Sequence, residues 1–185
     1  SVAHKKSVPL IVDNTFATPY LCRPIEWGAD IVVHSTSKYL DGHALQCGGV
    51  IIDSGKFDWE AANKVNGHFA DMFEPDESYH GLSYKKEFGN AAYIIKARTQ
   101  LMRDFGCYPS AQSAFYLNLG IETLPVRMDR YFENALKVAK HFKNSPKIAS
   151  VTYPYLEGDK SFDLAKKYMP NGCCGVVSIS IKGGR

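Results

Sequence analysis

Apolar residues in the first third of the chain fall in short continuous runs: Val8 to Val12, Ile31-Val32-Val33 inside Asp30 to His34, and Val50-Ile51-Ile52 after Gly48-Gly49. The first two, short, rich in β-branched residues and bounded by polar residues, suit strands of a buried parallel sheet. Asp13 ends the first run. Thr15 to Tyr20 reads as loop, and Pro24-Ile25-Glu26-Trp27 predicts a short helical stretch that Gly28 can terminate. From Asp13 to Ala29 the connection has the dozen or more residues that a parallel crossover needs. The first two strands are therefore expected to run parallel and to end at one edge, with Asp13 and Ser35 at that edge. A turn at Asp53-Ser54-Gly55 should follow the third strand.

Farther along, the period changes. Asn66 to Tyr84 is rich in aromatics without a clean repeat and reads as a long loop or lid, a kind of segment that is often functional. Helical spacing is predicted from Asn90 to Asp104, interrupted at Pro109-Ser110, then again over Ala111 to Leu119 and from Pro125 through about Lys143. Arg127, Arg130, Lys137 and Lys140 are expected on the wet side of that last helix. Ser150 to Tyr153 and Val176 to Ile181 read as strands of a second, incomplete domain. The opening Ser1 to Lys6 lacks a Met and resembles the end of a helix. No internal repeat or low-complexity segment interrupts the pattern.

Composition leaves this picture intact. Hydrophobic residues at 45% and charged residues at 22% are ordinary for a globular protein. A net charge of +3 with dispersed Lys and Arg gives little electrostatic purchase on nucleic acid. No apolar stretch reaches the roughly 20 residues of a membrane span, and no leader pattern opens the chain, so a cytoplasmic location is expected. The five cysteines, Cys22, Cys47, Cys107, Cys173 and Cys174, match neither a zinc site nor a redox pair. They read as reduced structural thiols, and adjacency alone assigns Cys173-Cys174 no role. The six His are scattered, without metal-site spacing.

The chemistry concentrates between Val12 and Gly49. A pyridoxal phosphate (PLP) site needs an amine, hydroxyl or backbone donors for the phosphate, and a carboxylate that keeps the pyridine nitrogen protonated. Lys38 follows the second strand, beyond whose carboxyl end ligands bind in open α/β sheets. Ser35 and Ser37, two apart, would project the same way from an extended segment and could share a phosphate. Asp13 could face the ring nitrogen. Each residue also has an ordinary reading: a solvated lysine, turn serines, a capping aspartate. Neither a P-loop nor a dinucleotide glycine motif is present.

Val12-Asp13-Asn14-Thr15-Phe16-Ala17-Thr18-Pro19, then Gly28 through Tyr39 with His34-Ser35-Thr36-Ser37-Lys38, Gly42-His43, and Leu124 through Arg130 together resemble the Cys/Met-metabolism PLP enzymes over nearly the whole chain. That resemblance implies a type I PLP fold, α/β with a mostly parallel sheet flanked by helices. Residues 1–124 would then be the C-terminal part of the large PLP-binding domain, and residues 125–185 the truncated start of a C-terminal α/β domain. It implies that Lys38 carries the cofactor covalently, that Asp13 pairs with the ring nitrogen, and that Ser35 and Ser37 contact the phosphate. Among subfamilies, Gly48 to Trp59 and the insertion with Ser78-Tyr79-His80-Gly81 look most like the O-acetylhomoserine sulfhydrylases. The expected reaction is γ-replacement on O-acetylhomoserine by sulfide, giving homocysteine and acetate in methionine biosynthesis. The expected partners are the amino-acid substrate, sulfide or a thiol, and further copies of the chain in a dimer or tetramer with shared sites, with no nucleic acid or membrane. Alternatives are a cystathionine γ-synthase, a methionine γ-lyase, or a non-catalytic assembly partner of the same fold. The family's glycine-containing phosphate loop, ring-stacking Tyr and carboxylate-binding Arg have no counterpart here, so the chain is expected to hold half a site.

Overall fold

A computed structural model describes Ser1–Gly184. The elements run β1 (Ile11–Asp13), α1 (Thr18–Leu21), β2 (Ile31–Ser35), β3 (Gly49–Asp53), α2 (Trp59–Asn66), α3 (Tyr84–Phe88), α4 (Ala92–Lys96), α5 (Arg103–Phe105), α6 (Ala111–Glu122), α7 (Leu124–Lys143), β4 (Ile148–Thr152), α8 (Phe162–Tyr168) and β5 (Ser178–Ile181). The chain divides into two compact units. Ser1–Asp13, Pro24–His34 and Gly48–Ala114 form the first, and Asn14–Arg23, Ser35–Cys47 and the residues from Phe115 onward form the second.

In the first unit the sheet order is β1-β2-β3. β1 and β2 are parallel as expected, with Ile11 opposite Ile31 and Asp13 opposite Val33. Only the last two residues of the Val8–Val12 run join β1, because Pro9 has no N–H and the Leu10 N–H donates to the Asp30 carboxylate at 2.7 Å. The same carboxylate accepts from His4 Nε2 at 2.6 Å. Burial follows strand position. Ile31 on central β2 is fully buried, whereas Ile11 on β1 is 52% exposed and Ile51 on β3 is 48% exposed. Ile31 packs with Trp59, Met72, Tyr84 and Ala92.

The helix α2 has no counterpart in the sequence reading. Its local signal is the Asp58 carboxylate, which accepts from the Ala61 N–H at 2.9 Å and caps the first turn. Its first residue, Trp59, stacks on Tyr93 with centroids 5.5 Å apart. Between Asn66, where α2 ends, and Tyr84, where α3 begins, the chain is irregular as expected, apart from 3-10 turns at Ala70–Met72 and Glu77–Tyr79. Helix then begins at Tyr84, earlier than the predicted Asn90, and widens into a π turn over Ala97–Met102. Among the described residues no helix is long and apolar enough to cross a membrane.

In the second unit, α7 carries Leu124, Met128, Ala135 and Ala139 on one buried stripe, at helical spacing. Full burial of Met128 alone is worth about 1.5–3 kcal/mol. Lys140, His141 and Lys143 lie in its last turn, where cations favour the helix dipole. Thr15 to Tyr20 is not all loop, since Thr18 opens α1. β4 and β5 pair antiparallel with Val151 opposite Ile179, and β5 starts at Ser178 rather than Val176. Arg130, Lys137 and Lys140 are exposed as expected, but Arg127 is not on the wet side. Its guanidinium turns inward to backbone carbonyls.

Candidate active site

At the carboxyl end of β2 the backbone leaves the extended form at Ser35 and enters a π turn, Thr36–Leu40. Ser35 is fastened first: its N–H donates to Thr15 Oγ1 at 2.8 Å. Thr15 itself is buried, and so is Asn14, whose Nδ2 donates to the Cys22 carbonyl at 2.8 Å. Nearby Thr18 is fully buried with φ of 60°, an outlier for a β-branched residue that its surroundings must hold in place. Its N–H donates to the Asn14 carbonyl at 2.9 Å.

Three side chains then pin the turn that carries Lys38. Gln46 Nε2 donates to the Thr36 carbonyl at 2.9 Å. Fully buried Asp41 accepts at Oδ2 from the N–H groups of His43 (3.3 Å) and Leu45 (3.0 Å), and its carbonyl accepts from His43 Nδ1 at 2.7 Å. Arg127 donates to the carbonyls of Tyr39 (2.8 Å), Leu40 (3.5 Å) and Gly120 (2.7 Å), and to Thr123 Oγ1 at 3.0 Å. Planar, permanently charged and rich in donors, a guanidinium is suited to gather several carbonyls at once.

Two glycines make this approach possible. A Cβ on Gly120 would stand 2.2 Å from the Asp41 carbonyl oxygen, so only glycine lets α6 come this close. Gly42 has φ of 70°, and a Cβ there would stand 2.2 Å from an Arg127 guanidinium nitrogen. Tyr39 is wedged edge-on to Phe16 at 5.7 Å and tilted against Tyr131 at 5.2 Å. Burial first, then the neighbouring Cys174, pushes its phenol above the ordinary range.

Within this fixed frame Lys38 departs from helical dihedrals, with φ −97° and ψ −122°, and is exposed. Ser35 and Ser37 are half-buried on either side of Thr36. The extended segment that would aim both hydroxyls the same way is absent, because the π turn begins at Thr36. Asp13, the last residue of β1, is exposed and belongs to the first unit. Of the four predicted residues, the turn brings Ser35, Ser37 and Lys38 together in one short stretch. An exposed amine on an immobilised turn with two neighbouring hydroxyls supplies donor types that PLP requires, and these residues fit that group.

The supports Thr15, Asp41, Gln46 and Arg127 escaped the sequence reading. For Arg127 a weak signal existed: it follows Leu124 by three positions and directly precedes Met128, so it flanks the buried stripe of α7.

The model of the family described as Cys/Met metabolism PLP-dependent enzyme matches residues 1–185. A homocysteine synthase of Schizosaccharomyces pombe is 48% identical over 99% of this chain, and an O-acetyl-L-homoserine sulfhydrylase of Leptospira meyeri is 47% identical over 99%. The chain spans 42% of the length of each. A crystal structure described as an O-acetylhomoserine (thiol)-lyase of Campylobacter jejuni, containing N'-pyridoxyl-lysine-5'-monophosphate, superposes with a TM-score of 0.88 at 35% identity. The superposition covers 98% of this chain and 42% of that one.

Proposed function

The chain belongs to the Cys/Met metabolism PLP-dependent enzyme family, and from that membership we propose that it is part of an enzyme that replaces the acetoxy group of O-acetylhomoserine with sulfide. The C–O bond at Cγ breaks, a C–S bond forms, and homocysteine and acetate leave. One observation carries this reading: relatives named for that reaction match nearly the whole chain at 47–48% identity.

Lys38 would hold PLP covalently, Ser35 and Ser37 would contact its phosphate, and Asp13 would keep a proton on the ring nitrogen. When bound, PLP supplies an electron sink for negative charge that develops at the substrate Cα. Lys38 would also be the residue that moves protons at the substrate Cα and Cβ. Arg127, Gln46 and Asp41 do not touch reacting atoms. They hold the backbone from which Lys38 projects, and a fixed origin limits the amine's search for its target.

The wider reading follows the same family. Residues 1–124 are the later part of a type I PLP domain with a mostly parallel sheet, and residues 125–185 begin a C-terminal domain. The complete enzyme is a cytoplasmic dimer or tetramer with shared sites. Its test is a parallel assay of the complete polypeptide with sulfide, with cysteine and with no thiol, scoring homocysteine, cystathionine and 2-oxobutanoate. Dominant homocysteine is expected. Dominant cystathionine would make it a cystathionine γ-synthase, dominant 2-oxobutanoate a γ-lyase, and no product an assembly partner without catalysis. Lys38→Ala should abolish borohydride-fixed PLP labelling of this chain, and a label of full occupancy on another lysine would remove Lys38 from its role. Asp13→Asn should keep PLP bound and slow turnover by several powers of ten, about 4 kcal/mol or more.

A further inference from the structure

Gly175 has no part in the reaction above, yet it packs against the residue directly after Lys38. A Cβ built on Gly175 would stand 3.1 Å from the Tyr39 hydroxyl oxygen and 3.4 Å from the Tyr131 Cβ. Gly175 is not among the glycines of positive φ, so its backbone would accept alanine. What is missing is room. Neither partner in this contact is free to retreat. On one side, the peptide joining Cys174 to Gly175 is held by its carbonyl, which accepts from the Tyr153 hydroxyl at 2.9 Å. Tyr153 is fully buried, and its own N–H donates to the Asp159 carboxylate at 3.0 Å. Cys173, just before that peptide, is buried with Ala135, Ala139 and Leu156.

On the other side, the Tyr39 ring lies 5.7 Å from Phe16 and 5.2 Å from Tyr131, centroid to centroid, and the Tyr39 carbonyl accepts from Arg127 at 2.8 Å. Tyr39 is thus held at its backbone, its ring and its hydroxyl end. All of these residues belong to the second unit. The consequence reaches Lys38 through one bond rotation. Because the peptide joining Lys38 to Tyr39 is planar, ψ of Lys38 sets the direction of the lysine side chain relative to Tyr39. With Tyr39 immobile, that direction is fixed. The ψ of −122° departs from the helical value of about −42°, so surrounding residues rather than the turn itself must hold it.

We propose that Gly175 is a positioning residue for Lys38: seated closely against the Tyr39 hydroxyl, it lets residues 173–175 brace the turn from which the amine projects. This rests on the reading of Lys38 as the residue that carries PLP. Having no side chain, Gly175 acts on Lys38 only through Tyr39.

The test is Gly175→Ala in the complete polypeptide, made alone and together with Tyr39→Phe. Before PLP is added, amide hydrogen exchange over residues 36–46 should rise in Gly175→Ala. Once PLP is added, the rate at which borohydride can fix it to Lys38 should fall about 10- to 100-fold, the scale of a misplacement near 1 Å. Tyr39→Phe removes the oxygen that the added methyl group meets, so in that background Gly175→Ala should change neither quantity by more than about 2-fold. A general loss of stability would not be rescued by removing one oxygen. Tyr153→Phe frees the Cys174 carbonyl from behind and should loosen residues 36–46 in the same direction. The proposal is overturned by unchanged exchange or unchanged PLP fixation in a folded Gly175→Ala, or by an equal effect in the Tyr39→Phe background. Should Gly175→Ala not fold, unchanged exchange in Tyr153→Phe overturns it instead. A wild-type polypeptide that fixes no PLP on Lys38 would defeat the reading of the site, and the exchange measurements would still decide whether residues 173–175 brace the turn.

Discussion

The turn after Lys38 and the turn from Asp76 to Leu82 are both irregular, and both use left-handed residues: Gly42 (φ 70°) and Ala44 (φ 56°) in one, His80 (φ 59°) and Gly81 (φ 68°) in the other. Each includes one carboxylate, but they differ in their cationic anchors. Around Lys38 the donors are Gln46, Arg127 and backbone N–H groups, and most of them end on backbone carbonyls or on buried Asp41. In the first unit, one carboxylate gathers the 76–82 turn. Asp76 accepts from the Ser78 N–H (2.9 Å) and hydroxyl (2.7 Å), from Lys96 at 3.4 Å and from Gln100 at 3.2 Å. Arg103 adds a bond to the Ser78 carbonyl at 3.1 Å. A turn tied through carbonyls by a guanidinium keeps its anchor at any working pH. A turn tied through one carboxylate and an ammonium answers to pH and to salt.

The largest effect should come from Arg127→Met, which keeps the stem and removes the donors. Losing charged hydrogen bonds to three carbonyls, two of them following Lys38, should cost roughly 3 kcal/mol or more. Amide hydrogen exchange should rise over residues 36–46 and stay unchanged over residues 76–82. Equal loosening of both turns would dissolve the contrast. Arg127→Lys should recover only part of the loss, since a point ammonium cannot reach all those acceptors together.

Gly42→Ala should be milder, about 1–3 kcal/mol, from the positive φ and the guanidinium in its way. A long side chain would ordinarily move aside cheaply, but this one is anchored by its carbonyl bonds. The sharper test is the double mutant: with Arg127→Met the added cost of Gly42→Ala should shrink. Simple additivity would mean that only the backbone dihedral matters.

The smallest effect belongs to Asp76. Its pKa is lowered, first by the Ser78 hydroxyl and then by the Ser78 N–H and Lys96. Because the folded value lies below the unfolded one, near 3.9, its contribution is complete above that unfolded value and is lost as pH falls through the folded one. Hydrogen exchange over residues 76–82 should therefore accelerate below about pH 4, and Asp76→Asn should remove this pH dependence with a smaller loss of midpoint temperature than Arg127→Met. High salt should loosen the same segment and leave residues 36–46 unaffected. A salt response at the Lys38 turn would contradict the assignment of its anchors.

The sequence by itself determined the local grammar of this protein. The β-branched runs and a crossover of sufficient length led to two parallel strands, Gly28 and Asp53-Ser54-Gly55 marked turns, and the string around Lys38 pointed to the family. These features depend on neighbours in the chain, where periodicity and backbone preference act. Tertiary structure alone decided what holds the site. Arg127 meets the Tyr39 carbonyl across 88 positions and Gln46 meets Thr36 across 10, and neither partner is encoded by helical or strand spacing. Periodicity says which face of α7 is apolar, but a carbonyl left without a helical partner is visible only once the turn exists, and it was that acceptor which drew a predicted surface arginine inward.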